Sequence, residues 1–228
     1  MHWDGSILYQ SDNQKVYAST ISQLRDQGLI YPCICTRKAL AANNNPVYPG
    51  FCLNNKVTGN SPHALRIKSK PIKVNFIDEL QGYQSHNIAH QHGDFIIRRK
   101  DNIIAYQLAV VIDDHLQNIS HVIRGFDLLD STPRQIFLQQ KLTYTTPSYC
   151  HVPVIVDPQG DKLSKQTFAQ AVSIEKPEKT IFLLLELLKQ NPPLQLKKAS
   201  VKELIDWAIE HWNTDSLKKI STINKSIY

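Results

Sequence analysis

The sequence predicts an α/β domain with a parallel sheet, and three observations point to this fold class. His121–Arg124 and His151–Val156 are rich in β-branched and apolar residues, as strands are. Between them, Ser131-Thr132-Pro133 is a favourable helix start that Arg134–Leu142 continues. Strand, helix and strand in this order are typical of a parallel βαβ unit. A chain of 228 residues with 42% hydrophobic residues is also long enough to bury a sizeable core.

The other elements follow from periodicity and turn residues. Helical spacing of apolar residues predicts a helix from Gln14 to Leu29, and Gly28 suits its C-terminus. The run Tyr106–Asp114 fits either a strand or a buried helix. Further strands are predicted at Leu29–Cys35, Ala64–Ile67, Ile72–Ile77 and Phe95–Arg98, loops at Asn43–Pro46 and His90–Gly93, and helices at Glu178–Gln190 and after the capping box Ser200–Glu203.

Composition excludes several classes of protein. The chain has only eight glycines, and no two are two or five residues apart, which excludes both glycine-rich phosphate-binding motifs. The longest apolar run, Ile181–Leu188, contains Glu186 and is too short to span a bilayer, and the N-terminal residues do not resemble a signal peptide. We therefore expect a cytoplasmic protein with reduced cysteines and no membrane partner.

Charge is unevenly distributed along the chain. The 26 basic and 20 acidic residues give a net charge of +6. Between Gln27 and Ile77 there is no acidic residue, whereas seven basic residues occur there: Arg37, Lys38, Lys56, Arg66, Lys68, Lys70 and Lys73. This stretch favours an RNA or phosphate partner, with an exposed face of chance composition as the alternative.

Three of the four cysteines lie in that basic stretch. Cys33, Cys35 and Cys52, with Tyr48 four residues before Cys52, make a four-coordinate metal site possible, and three buried thiols are the alternative. Cys150 begins an apolar strand and is predicted to be a core residue.

Two further features could carry chemistry. Lys162 and Lys165 follow a Pro-Gly turn, and lysines on a loop can stabilise negative charge on a transferring phosphate, although a solvated turn has the same composition. Arg124 ends a predicted strand, where an open α/β fold places ligand contacts, and its guanidinium suits a carboxylate. An ion pair of Arg124 with Asp127 or Asp130 is the alternative.

The order of these segments resembles that of glutamyl-tRNA synthetases, which are class I aminoacyl-tRNA synthetases. The resemblance covers nearly the whole chain and rests on Tyr106–Asp114, His115–Leu129, Ser131–Gln135 and Lys162–Lys165. Within that group the sequence is most similar to the glutamyl-queuosine tRNA(Asp) synthetases. Only 63 residues follow Lys165 (228 minus 165), too few for an anticodon-binding domain, and Cys33, Cys35, Tyr48 and Cys52 resemble that family's zinc site.

The resemblance implies a fold and a reaction. We expect a Rossmann-like catalytic domain at residues 1–165, with a zinc-bearing insertion at about 33–100, and a helical appendage at 166–228. It implies that the protein activates L-glutamate with ATP, together with Mg²⁺, and transfers it to queuosine at the wobble position of tRNA(Asp). Zn²⁺ would be structural, and we expect a monomer.

The resemblance also assigns roles to residues. It implies that Tyr106 and Arg124 bind glutamate, that Lys165 contacts ATP, and that Lys162 and Lys165 are catalytic by neutralising the leaving pyrophosphate. Gln107 stands where the family more often has Asn. Relative to the family, the sequence lacks a first strand and helix with a His-x-Gly-His-like signature, so we expect negligible glutamate activation by these 228 residues unless that segment is supplied.

Two alternative functions stay open. One is a noncatalytic, zinc-containing module that binds tRNA. The other is a glutamyl-tRNA synthetase that charges tRNA(Glu), which the lack of an anticodon-binding domain disfavours.

Overall fold

The computed structural model of the chain describes residues 3–41, 47–54, 61–164 and 175–224. The α-helices are α1 Gln14–Asp26, α2 Arg37–Ala41, α3 Ile88–Gln91, α4 Tyr106–Leu116, α5 Thr132–Leu142, α6 Pro177–Leu187 and α7 Val201–His211. The strands are β1 Ile30–Cys33, β2 Ala64–Ile67, β3 Lys73–Asp78, β4 Gly82–Asn87, β5 Phe95–Arg98, β6 His121–Gly125, β7 Ser148–Val152, β8 Val154–Val156 and β9 Thr222–Asn224.

The chain forms two compact units that are interleaved in sequence. The first unit comprises Met1–Phe76, Ser85–Ser120 and Asp130–Pro147, and the second comprises Ile77–Gln84, His121–Leu129 and Ser148–Tyr228. The boundary at 165/166 between a catalytic domain and a helical appendage stays a prediction. No helix in the described part of the chain is both long and apolar enough to cross a membrane.

The first unit is built on an antiparallel sheet of order β1-β2-β5, with α4 packed against β5 and α5. The ambiguous run at 106–114 is thus a helix. Leu108, Val111 and Ile112 are all buried; residues at i and i+3 share a face in a helix but lie on opposite faces of a strand. Helix α1 ends as predicted near Gly28, whose φ of +66° suits glycine and whose N–H bonds to the Arg25 carbonyl.

A buried carboxylate connects α1 to α4 in this unit. Tyr17 Oη donates to Asp113 Oδ1 at 2.7 Å, and Gln10 Nε2 donates to Asp113 Oδ2 at 2.7 Å. Tyr17 is 1% exposed, and burial together with the Asp113 hydrogen bond raises the pKa of its phenol, which therefore stays a neutral donor. A carboxylate in this position needs such donors, since a buried charge without them is costly.

The second unit contains the parallel strands that the βαβ pattern predicts. β6 and β7 pair in parallel from His121–Ser148 to Gly125–Val152, with α5 between them in the chain. Asp78, the last residue of β3, pairs with Tyr149 of β7, also in parallel, and the strand order is β4-β3-β7-β6. The parallel α/β prediction is confirmed for these strands.

The remainder of the second unit is mainly helical. Helix α7 begins with the predicted capping box, in which Ser200 accepts from the Glu203 N–H and Glu203 accepts from the Ser200 N–H. Phe182, Leu185 and Leu204 form the core between α6 and α7. Pro177 occupies the first turn of α6, where its missing N–H has no cost.

Two expectations from the sequence are corrected, and one strand was not predicted. The predicted strand 151–156 is two strands, because Pro153 lacks the N–H to continue β7; β8 pairs instead with β9. Strand β4 was not predicted, since its polar residues lack an apolar alternation. The segment 90–93 is not a solvated loop: His90 and Gln91 end α3, and the His92 side chain is only 3% exposed.

Replacing Tyr17 with Phe tests the link between α1 and α4. The substitution removes a donor from the buried Asp113 carboxylate, so we expect the free energy of unfolding to fall by about 1–3 kcal/mol. Tyr9→Phe is the matched control, because Tyr9 is 60% exposed and should change stability little. Urea unfolding of the three proteins measures both effects. Equal stability of the two variants would contradict this account of Asp113.

Candidate functional site

A cluster of three thiols and a phenol lies in the first unit, with Cys33 at the end of β1. The three cysteine Sγ atoms lie within 4.8 Å of one another, and Cys35 and Cys52 are 3.5 Å apart. Tyr48 Oη is 3.5 Å from Cys33 Sγ and 3.6 Å from Cys35 Sγ. The structure therefore brings together all four residues that the spacing suggested as ligands.

The backbone around Tyr48 depends on a glycine. Tyr48 forms a parallel bridge with Gly93, whose φ is +61°. A Cβ atom at residue 93 would lie 2.7 Å from Val47 Cγ1 and 3.0 Å from the Tyr48 carbonyl oxygen. Only glycine fits at this approach, so Gly93 positions Tyr48 beside the thiols.

Arg66 supplies a positive charge next to the cluster. Its Nε donates to Cys33 Sγ at 3.3 Å, its Nη1 donates to the Asp94 carbonyl at 2.6 Å, and its guanidinium lies 3.7 Å from the centre of the Tyr48 ring. Arg66 is 6% exposed, so it is a buried residue rather than part of a basic surface. The basic stretch at 27–77 thus contributes fewer exposed charges than its sequence suggests.

The thiols differ in their acidity. Burial acts to raise the pKa of the Cys33 thiol, but hydrogen bonds from Tyr48 and Arg66 outweigh it and lower the pKa to about 7. Burial raises the pKa of Cys35, and burial with hydrogen bonds to the thiols raises that of Tyr48. Cys33 is therefore more easily deprotonated than Cys35, and the thiolate is the form in which cysteine binds a metal.

The donor set fits a tetrahedral, soft metal ion. Sulfur atoms that share such an ion at about 2.3 Å lie roughly 3.8 Å apart, close to the Cys35–Cys52 separation. Tyr48 Oη also accepts from the Cys52 N–H at 3.0 Å, which holds it on the same side of the loop as the thiols. Three thiols and one phenol oxygen could thus hold a metal ion.

Arg124 lies near the end of β6 in the second unit, at the carboxyl ends of the parallel strands. Its Nε donates to His151 Nε2 at 3.0 Å, and its guanidinium lies 5.5 Å from the centre of the Tyr149 ring. The two acidic residues suggested as alternative partners are paired with other residues: Asp127 with Lys162, and Asp130 with Arg134.

The loop that carries Lys162 and Lys165 is described only as far as residue 164. Lys162 Nζ lies 2.6 Å from Asp127 Oδ2, and Lys162 and Asp127 are 48% and 38% exposed. Asp127 Oδ1 is packed close to Gly125, where a Cβ atom would lie 2.5 Å from it. Lys165 is outside the described residues, so its role stays a prediction.

Tyr106 is the first residue of α4 in the first unit, and the residue is 48% exposed. The next residue, Gln107, donates from Nε2 to Ser131 Oγ at 3.0 Å. This bond gives Gln107 a structural contact at the start of α5. Tyr106 and Arg124 belong to different units, and their roles as glutamate contacts stay predictions.

Sequence reasoning missed two residues that are connected to Arg124 by hydrogen bonds. His151 and Asp78 are both fully buried, and His151 Nδ1 lies 2.5 Å from Asp78 Oδ2. The sequence showed His151 only as part of an apolar strand and Asp78 only at a strand end. Their separation of 73 positions gives no local signal, although a histidine within an apolar strand is itself a reason to look for a buried partner.

A family model described as "tRNA synthetases class I (E and Q), catalytic domain" matches residues 1–208. The chain belongs to this family. Proteins named Glutamyl-Q tRNA(Asp) synthetase from Aromatoleum aromaticum and Dechloromonas aromatica are 43% and 41% identical to it. The alignments cover 92% and 97% of this chain, and 68% and 76% of those relatives. A protein of the same name from Pseudomonas aeruginosa is 38% identical over 97% of this chain.

A solved structure supports the class I synthetase fold. The crystal structure of a glutamate tRNA ligase from Elizabethkingia meningosepticum, in complex with its amino acid, is similar with a TM-score of 0.72 at 21% identity. The similarity covers 98% of this chain, which spans about half of that structure (52%). The predicted α/β class I fold is thereby confirmed.

Lys162→Ala tests whether the ion pair with Asp127 has a structural role. Both side chains are substantially exposed, so we expect its loss to change the free energy of unfolding by less than about 1 kcal/mol. The matched control is Lys202→Ala, which breaks the more exposed i,i+4 pair with Asp206. Chemical unfolding of both variants measures the effect. A loss of several kcal/mol for Lys162→Ala alone would show that the pair is structural.

Proposed function

We propose that the protein, as its gene encodes it, activates L-glutamate with ATP and transfers it to queuosine at the wobble position of tRNA(Asp). The observation that carries this proposal is the identity of 38–43% to proteins named Glutamyl-Q tRNA(Asp) synthetase over more than nine tenths of the chain. The arginine at the carboxyl ends of the parallel strands, where such folds bind ligands, supports it.

The reaction has two steps. In the first, the α-carboxylate of glutamate attacks the α-phosphorus of ATP, the bond to the β-phosphate breaks, and pyrophosphate leaves. In the second, a hydroxyl of the queuosine cyclopentenediol attacks the acyl carbon, loses its proton and displaces AMP. No redox cofactor is needed, and Mg²⁺ would accompany ATP.

The site residues would have two roles, which are binding glutamate and stabilising the leaving pyrophosphate. Arg124 and Tyr106 would bind glutamate. Arg124 would hold a carboxylate, because a guanidinium forms charge-assisted hydrogen bonds with it. Lys162 and Lys165 would stabilise the negative charge that develops on the leaving pyrophosphate. Lys162 already faces one oxyanion, the Asp127 carboxylate at 2.6 Å, and would exchange it for phosphate oxygens.

The thiol cluster is proposed to bind structural Zn²⁺ through Cys33, Cys35, Cys52 and Tyr48. The three sulfur donors support this ion over Mg²⁺ or Ca²⁺, which prefer oxygen ligands, and the lowered pKa of Cys33 favours the thiolate that binds a metal. We propose that the protein acts as a monomer in the cytoplasm.

Glutamylation of purified tRNA tests the function. We expect ATP-dependent incorporation of glutamate into tRNA(Asp) that carries queuosine, and none into tRNA(Asp) from cells unable to make queuosine. The protein is assayed as its gene encodes it, with the 228-residue chain in parallel. Charging of tRNA(Glu) instead would establish the synthetase alternative. Binding of tRNA(Asp) without any adenylate formation would establish the noncatalytic module.

Cys35→Ser tests the metal assignment. Replacing one thiol ligand should lower the zinc content well below that of the wild type and lower the melting temperature with it, because metal binding and folding are coupled. Cys150→Ser is the control, since Cys150 lies in a different hydrophobic cluster. This variant should keep the zinc content of the wild type even if its melting temperature falls. Unchanged zinc in Cys35→Ser, measured by elemental analysis, would refute the assignment.

A further inference from the structure

Three polar side chains form a chain of contacts in the second unit. Asp78 ends β3, Arg124 lies next to the end of β6, and His151 lies next to the end of β7, directly opposite Arg124 in the register. The three parallel strands thus place a carboxylate, an imidazole and a guanidinium at their carboxyl ends. Parallel α/β sheets bind their ligands at the carboxyl ends of the strands.

The Asp78 side chain is fully buried and accepts hydrogen bonds from several groups. Its Oδ1 accepts from the backbone N–H groups of Leu80, Gln81 and His151, at 3.1, 2.9 and 3.2 Å. Its Oδ2 faces His151 Nδ1 at 2.5 Å. Burial acts to raise the pKa of Asp78, but the hydrogen bonds from His151 and the backbone outweigh it and lower the pKa. Asp78 is therefore a carboxylate that only accepts hydrogen bonds.

This carboxylate fixes the tautomer of His151. Because Asp78 can only accept, the proton of the neutral imidazole lies on Nδ1, and Nε2 keeps a lone pair. Arg124 Nε–H donates to that lone pair at 3.0 Å. A proton on Nε2 would face the Arg124 Nε–H and abolish this hydrogen bond.

The same contact restricts the guanidinium. With its Nε–H engaged by His151 and its plane beside the Tyr149 ring, Arg124 loses much of the rotamer freedom of a long side chain. A carboxylate bound by Arg124 must then use the Nη hydrogens. Restricting the guanidinium before a ligand arrives removes part of the entropic cost of binding.

We propose that His151 and Asp78 are positioning residues for substrate recognition: the Asp78–His151 pair orients Arg124 for the carboxylate of glutamate. The inference rests on the proposed function, because it takes Arg124 as a glutamate contact. His151 acts through Arg124 and needs no contact with the reacting atoms.

Two variants of His151 separate positioning from folding. In His151→Asn, the amide nitrogen can replace Nδ1 as donor to Asp78, but nothing replaces Nε2 as acceptor for Arg124. In His151→Gln, the longer side chain can place its amide oxygen near the position of Nε2. His90→Asn is the control, because His90 is exposed and lies outside this network.

Glutamate-dependent ATP–pyrophosphate exchange measures the effect, with the wild type and each variant assayed as the gene encodes them. We expect His151→Asn to raise the KM for glutamate about tenfold, the loss of roughly one hydrogen bond to a charged group, with the KM for ATP within about twofold of the wild type. His151→Gln should recover most of the difference, and His90→Asn should match the wild type.

The outcomes distinguish the two proposals. Exchange by the wild type together with an unchanged KM for glutamate in His151→Asn would overturn the positioning role alone, as would equal increases in both KM values. No glutamate-dependent exchange by the wild type would overturn the proposed function, and this inference with it.

The tautomer provides a readout that does not depend on activity. Nitrogen-15 NMR of the histidine-labelled wild type should show the proton of His151 on Nδ1 and an unprotonated Nε2, with assignment by comparison with His151→Gln. A proton on Nε2 would overturn the inference, because that nitrogen could not accept from Arg124.

Discussion

The buried hydrogen bond between His151 and the Asp78 carboxylate is the constraint on which the second unit depends. A carboxylate in a protein interior is tolerated only when its oxygens are hydrogen-bonded, and both oxygens of Asp78 meet this requirement. Gln81, which donates its own N–H to Asp78, also donates from Nε2 to the carbonyls of His151 and Ile220. One acidic side chain thereby fixes the end of β3, the following turn and the carboxyl end of β7.

The first unit contains two further buried carboxylates whose oxygens accept several hydrogen bonds. Asp113 accepts from Tyr17 and Gln10, and Asp94 accepts from Tyr31 at 2.6 Å and from Ser69. Beside Asp94, the guanidinium of Arg66 bonds to the Asp94 carbonyl and to Cys33 Sγ. Arg66 of this network therefore also acts, after Tyr48, to lower the pKa of the Cys33 thiol.

Local sequence signals predicted the features that depend on local physics. The capping box at Ser200, the proline in the first turn of α5 and the helix end at Gly28 involve groups only a few residues apart, and the structure contains all three. The Cys33, Cys35, Tyr48 and Cys52 cluster was also visible, because metal-ligating residue types were close in sequence. The run 106–114 was ambiguous, since apolar residues on both sides of a buried element hide its period.

Features that depend on tertiary packing were not visible in the sequence. Arg66 counted as a surface charge, whereas it is buried beside a sulfur atom. Asp78 and His151 meet only because β3 and β7 pair across 73 positions of the chain. The measurement that tests the account most directly is the amino-acid dependence of ATP–pyrophosphate exchange, with the wild type and Arg124→Gln both assayed as the gene encodes the protein. We predict exchange with glutamate but not with glutamine or aspartate, and a loss of exchange in the variant; exchange that is independent of glutamate, or equal in both proteins, would contradict it.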